Sequence, residues 1–145
     1  MQTTFVKNEQ VVRAWHIASA KGKVLGPLAV KAATALMGKN KADWTPSTDN
    51  GDFVVITDVE GLVFTRNKAV KKIYRWHTGF VGGIKEVPLG VMHEQNPEEV
   101  FYLAVKRMLP KSVLGRDMQR RLKIYGGADH PHSAQAPTKV EKIRS

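Results

Sequence analysis

Apolar residues along this chain fall in short blocks whose spacing switches between strand-like and helix-like, and each switch marks an element boundary. Residues 13–20 (RAWHIASA) mix Trp, His and Ile with small residues and are punctuated by Lys21-Gly22-Lys23, which predicts a short strand and a turn. A helix follows. Pro27 suits its first turn, Leu28, Ala29, Ala32, Ala33, Leu36 and Met37 recur at helical spacing, and Gly38 ends the pattern. After a polar stretch at 38–51, residues 52–57 (DFVVIT) carry the continuous apolar run of a strand buried on both faces. Two strands separated by a helix favour parallel pairing.

Further along, residues 61–65 predict another short strand and residues 72–77 (KIYRWH) one more, with Arg66-Asn67-Lys68 as a basic turn between them. Three glycines among residues 78–85 (TGFVGGIK) are too many for the interior of a helix or strand, so this segment reads as a loop. The next signal is the plainest in the chain. Asn96 caps a helix that has Pro97 at its first position and Glu98 and Glu99 against its dipole, and Val100, Leu103, Ala104 and Met108 then recur at helical spacing. Leu109-Pro110 stops it, a second helix is expected over about 114–120, and residues 122–125 (LKIY) before Gly126-Gly127 read as a last strand. The pattern therefore divides the chain into an α/β domain at 1–127 and a polar tail at 128–145, too poor in large apolar residues to bury much surface and expected to order on a partner.

Composition changes this picture in one respect. The length of 145 residues and the 42% apolar content suit one ordinary domain, but the formal charge is +10. The excess is regional: residues 66–123 hold 13 Lys and Arg against five acids, while the flanking segments are nearly balanced. Arg66, Lys68, Lys71, Lys72 and Arg75 form one cluster; Lys106, Arg107, Lys111, Arg116, Arg120, Arg121 and Lys123 form another. A face of one sign needs an external polyanion, and nucleic acid is the commonest. No apolar run approaches a membrane span, the start of the chain has neither a secretory nor a transit pattern, and the absence of cysteine excludes disulfides and thiolate sites. A cytoplasmic protein is expected.

Other chemistry is thin. The loop glycines, Gly79, Gly82 and Gly83, match neither the P-loop nor the dinucleotide spacing, so a small nucleotide-phosphate-binding α/β enzyme, using that loop with Asp52 or Asp58, is the lesser alternative. His130 and His132 lack further ligands for a metal, and Asp49 with Asp52 suit a turn better than Mg²⁺. No cofactor is expected. Tyr74, Trp76 and Tyr125 lie beside the cations but, as aromatics in predicted strands, are expected in the core.

Several strings nonetheless stand in a specific order: Gly38-Lys39-Asn40-Lys41-Ala42, Trp44-Thr45-Pro46, Gly51-Asp52-Phe53-Val54-Val55, Asn67-Lys68, His77-Thr78-Gly79 with Gly82-Gly83-Ile84-Lys85, Ala104-Val105-Lys106, Met108-Leu109-Pro110-Lys111, Leu114-Gly115-Arg116, Leu122-Lys123-Ile124-Tyr125, Gly127 and His130-Pro131-His132. Over nearly its full length the chain resembles the large-subunit ribosomal protein thirteen family in its bacterial form. The resemblance implies a three-layer α/β/α domain around a small, mostly parallel four-stranded sheet with extended basic loops. It also implies binding to large-subunit ribosomal RNA of the 23S type beside neighbouring large-subunit proteins, a role in early subunit assembly, and no catalytic activity. Carried over by position, the implied RNA contacts are Lys39, Lys41, Asn67, Lys68, His77, Thr78, Gly79, Gly82, Gly83, Lys85, Lys106, Lys111, Arg116, Arg120, Arg121, Lys123, His130 and His132; the charge clusters add Arg66, Lys71, Lys72, Arg75 and Arg107. Pro27, Arg66 and Arg107 depart from the family's usual Arg, Gly and Gly.

Overall fold

The computed structural model describes residues 6–139; positions 1–5 and 140–145, the latter the end of the expected tail, lie outside the described residues. Strand β1 (Trp15–Ser19) leads through helix α1 (Leu25–Met37) to β2 (Phe53–Thr57), which pairs parallel with β1 in the register Trp15 to Phe53 and Ser19 to Thr57. Gly38 closes α1 in the left-handed conformation (φ 74°), its amide bonded back to Ala35. Pro27 sits in the first turn, where its missing N–H has no intrahelical partner to lose.

Beyond β2 the structure departs from the strand expected at 61–65. Val59–Gly61 is a 3-10 turn, and Val63 makes only an isolated parallel bridge to Val24. The short helix α2 (Lys68–Lys71) and strand β3 (Ile73–His77) follow. Strand β3 does not join the main sheet. It pairs antiparallel with β4 (Ile84–Pro88), a strand that the sequence reading missed, to form a two-stranded ribbon with the glycine loop at its tip. Helix α3 (Leu89–Gln95), also unforeseen, buries Leu89 and Met92 one turn apart. The capped helix is α4 (Pro97–Met108): the Asn96 side chain accepts from the Glu99 amide at 3.2 Å, a cap worth about 1 kcal/mol. Its buried face is Val100, Phe101 and Val105, so the stripe is turned from the expected one and Met108 is left exposed. Helix α5 (Val113–Arg120), capped by Ser112, precedes β5 (Leu122–Ile124).

The main sheet has the order β5-β2-β1-β6 with every pairing parallel, where β6 is Thr138–Lys139. This is the mostly parallel four-stranded sheet of the expected α/β class. On one face Ala18, Val54, Ile56 and Leu122 share a core with α1, α4 and Met118 of α5. Two crossovers step from β1 to β2 to β5, with their helices on that side. The return from β5 to β6 reverses direction and so passes over the opposite face, where Trp15 stacks on Phe53 (ring centroids 4.3 Å) and the His132 ring lies against Trp15. The segment through His132 forms a thin third layer there, and the exposed helical turn Ser133–Gln135 follows it in the chain.

Candidate nucleic-acid interface

The cations of this chain divide into two sets by what they touch. The first set is internal. Arg121 is 7% exposed; its guanidinium grips the Asp49 carboxylate through both terminal nitrogens and also donates to the Leu36 carbonyl at 3.3 Å, near the C-terminus of α1. Arg13 reaches the same carboxylate at 3.4 Å. Beside it, buried Asp52 accepts from the Ala14 amide at 3.0 Å and lies 2.7 Å from Lys41 Nζ and 3.0 Å from His16 Nε2. Burial alone would raise the Asp52 carboxyl, but His16, Lys41 and the Ala14 amide together hold it below the ordinary aspartate range. Lys41 also donates to the Val12 carbonyl at 2.8 Å. Of the positions read as RNA contacts, Arg121 is therefore turned inward and Lys41 is held in an ion pair, and the two aspartates considered for Mg²⁺ face cations instead.

The second set is external. Arg66, Asn67, Lys68, Lys71 and Lys72 line one open depression of about 650 Å³ around α2. Lys72 Nζ and the Arg107 guanidinium both lie 5.1 Å from the Tyr74 ring, so the end of α4 is brought onto the first cluster. Lys106 rests on Tyr102, whose hydroxyl donates to Gln119 at 3.0 Å; Arg116 and Arg120, one turn apart, share an exposed face of α5. A trail of cations thus runs from α2 to the end of α4, and α5, joined to α4 through Tyr102 and Gln119, carries further ones. Among the described residues Arg66, Lys68, Lys71, Lys72, Lys85, Lys106, Arg107, Lys111, Arg116 and Lys123 have no carboxylate within ion-pair distance. Arg75 is paired with Glu86 across the ribbon and Arg120 with Asp117 at 3.2 Å, both exposed pairs of small energetic weight. Glu98 and Glu99 stand at the opposite end of α4 from Lys106 and Arg107, so that helix is itself polarised.

Arg66 keeps the left-handed backbone (φ 55°) that a glycine would adopt freely, at a cost of about 1–2 kcal/mol, and its side chain lines the depression. In the ribbon loop the left-handed positions fall to Gly79 (φ 92°) and Gly82 (φ 71°). The loop turns β3 back into β4, and the Thr78 amide bonds to the Gly83 carbonyl at 2.9 Å. It is a hairpin tip, without the strand-to-helix turn from which a phosphate cradle is built. Lys39 stands apart, exposed, with its ammonium over Trp44. Lys123, His130 and His132 lie at the third layer: burial first, and then Lys123 and His130, hold the His132 imidazole below its ordinary range, and the neutral ring is hydrogen-bonded to the Tyr125 hydroxyl at 2.8 Å. Tyr74 is buried as expected, but Trp76 is 47% exposed, contrary to the core position anticipated for it. The reason is topological: β3 lies in a two-stranded ribbon, and among the described residues its outer half is left exposed.

The family model described as Ribosomal protein L13 matches residues 13–131, most of the chain. The chain belongs to the ribosomal protein L13 family. Relatives named large ribosomal subunit protein uL13 cover it nearly end to end. Those of Thermosipho africanus and Thermotoga petrophila are 48% and 46% identical over 96% and 97% of this chain, and 93% and 94% of their own lengths. That of Legionella pneumophila is 46% identical over 97% of the chain and 98% of its own. Within the L13 match lie both charge clusters, the ribbon and the Asp49–Arg121 pair.

Proposed function

We propose that this L13-family chain is a structural constituent of the large ribosomal subunit that binds its 23S-type RNA through the external cation trail, supports early assembly of the subunit in the cytoplasm, and performs no catalysis. One observation carries the reading: the cations of α2 and the end of α4 converge on one surface without carboxylate partners among the described residues, while those around Asp49 and Asp52 are neutralised internally. Such a surface gains affinity by releasing counterions from phosphates. The RNA contacts are Lys39, Asn67, His77, Thr78, Gly79, Gly82, Gly83, Lys85 and Lys111, with the trail residues, Lys123, His130 and His132 beside them. Residues 128–145 complete their ordering on the RNA, and neighbouring large-subunit proteins close around the complex.

Binding of the purified chain to isolated large-subunit RNA, measured across a salt series, tests this. Affinity falls steeply with salt, and replacing Lys68, Lys72 and Arg107 together by Ala reduces the log-log slope by about three. A salt-independent affinity, or an unchanged slope in the triple variant, contradicts the proposal. Cosedimentation with the large subunit, and accumulation of precursor particles when the chain is depleted, test the assembly role.

A further inference from the structure

The β3–β4 ribbon has two unlike faces. Alternation places Ile73, Arg75 and His77 on one, opposite Pro88, Glu86 and Ile84, and there Arg75 is neutralised by Glu86. Tyr74 and Trp76 lie on the other, opposite Val87 and Lys85. Along this second face Tyr74 is buried beneath Lys72 and Arg107, and two residues outward, about 7 Å along the strand, the Trp76 indole lies half open to solvent. Lys85 is its direct cross-strand partner, with Cβ atoms about 5 Å apart at such pairs. The exposed indole is thus bracketed by Lys85 on one side and by Lys72 with Arg107 on the other, none with a carboxylate partner among the described residues.

A lone exposed tryptophan would need no explanation. Here it belongs to a ribbon whose tip also exposes Phe80 and Val81, while Ile73 and Ile84 are exposed on the other face. An aromatic plane between cations matches one ligand chemistry closely: a flat base with a phosphate on either side. A paired base keeps its faces inside the helix, so an unpaired nucleotide is required.

We propose that this ribbon face clamps a single unpaired nucleotide of the RNA, its base stacked on Trp76 and its flanking phosphates held by Lys85 and by Lys72 with Arg107. The inference rests on the RNA-binding reading above and adds to it a base-stacking residue that neither the charge pattern nor the family strings include. The clamp distinguishes single-stranded from duplex RNA by stacking, which charge alone does not.

The test compares wild type with Trp76→Ala, Trp76→Phe and Lys85→Ala for binding to large-subunit RNA and to a fully paired RNA duplex. Trp76→Ala is expected to weaken binding to large-subunit RNA about tenfold, Trp76→Phe to restore most of the loss, and both to leave duplex binding and thermal stability unchanged. Lys85→Ala lowers the salt slope by about one. Ultraviolet crosslinking in intact particles places residue 76 on one RNA base. Equal affinity of Trp76→Ala and wild type, an equal loss on the duplex, or a crosslink from residue 76 to a protein overturns the clamp while leaving RNA binding intact. Failure of the wild type to bind large-subunit RNA removes the broader function as well.

Discussion

Arg120 and Arg121 are consecutive in the chain and are opposites in the structure. The Arg120 side chain is 82% exposed and, among the described residues, pairs with Asp117 on the same helix; that of Arg121 is 8% exposed and joins the end of α5 to the loop before β2 and to the C-terminal turn of α1. The difference follows from position: residue 120 ends a surface helix, whereas residue 121 enters β5 beneath the helices, where an unneutralised charge would cost several kcal/mol. The same contrast holds for whole regions. Around Asp49 and Asp52, Arg13, Lys41, His16 and Arg121 form a closed network; around α2 and the end of α4, Lys68, Lys72 and Arg107 have no carboxylate within ion-pair distance among the described residues. Basicity in a sequence is thus two quantities, cations that hold the fold and cations left for a partner.

The largest effect should come from breaking the first region. Arg121→Ala leaves the Asp49 carboxylate largely buried beside only the longer Arg13 contact, and is expected to lower stability to denaturant by about 3–5 kcal/mol. The salt slope of the folded fraction stays that of wild type. An unfolding midpoint equal to wild type would show that the pair does not support the fold.

Asp52→Asn is the intermediate case. It keeps the shape but removes charge from the contacts to Lys41 and His16, at about 1.5–3 kcal/mol near neutral pH. Its pH signature separates it from a packing defect. The folded-state carboxyl of Asp52 lies below its ordinary value of 3.8, so its contribution is present above that value and is lost as pH falls through the folded value. Acid unfolding curves of the variant should accordingly be flatter below about pH 4 than those of wild type. Identical curves would place the acid sensitivity elsewhere.

Local signals exposed much of the fold and long-range ones hid the rest. Helix α4 was legible because Asn96, Pro97, Glu98 and Glu99 act within one turn, and β2 because FVVI is apolar on both faces. Strand β4 was not: IKEVP contains Pro88 and two charges, tolerable only because it is an edge in a two-stranded ribbon. Helix α3 carries Gly90 and two buried side chains, too few to set a period, and β6 is two exposed residues that become a strand only beside β1. At the site, charge density found the external cluster of α2, yet nothing in the string RRL marks Arg121 as internal. That depends on Asp49, 72 residues away. Trp76 was misplaced for the same reason, since its exposure depends on which sheet β3 joins.

The finest comparison uses the two neighbours together. Arg120→Ala removes an exposed pair with Asp117 three residues back, an interaction screened by solvent, and the change in stability should stay within about 0.5 kcal/mol. Its expected effect lies in binding: under the proposed function the exposed guanidinium, one turn from Arg116 on α5, makes one phosphate contact, and its loss should lower the log-log salt slope for large-subunit RNA by about one. Arg121→Ala gives the reverse pair of results, a large loss of stability and no change of slope. If both variants shifted the slope equally and neither shifted the unfolding midpoint, burial would not be what divides the cations of this chain, and the partition between fold and partner would have to be drawn elsewhere.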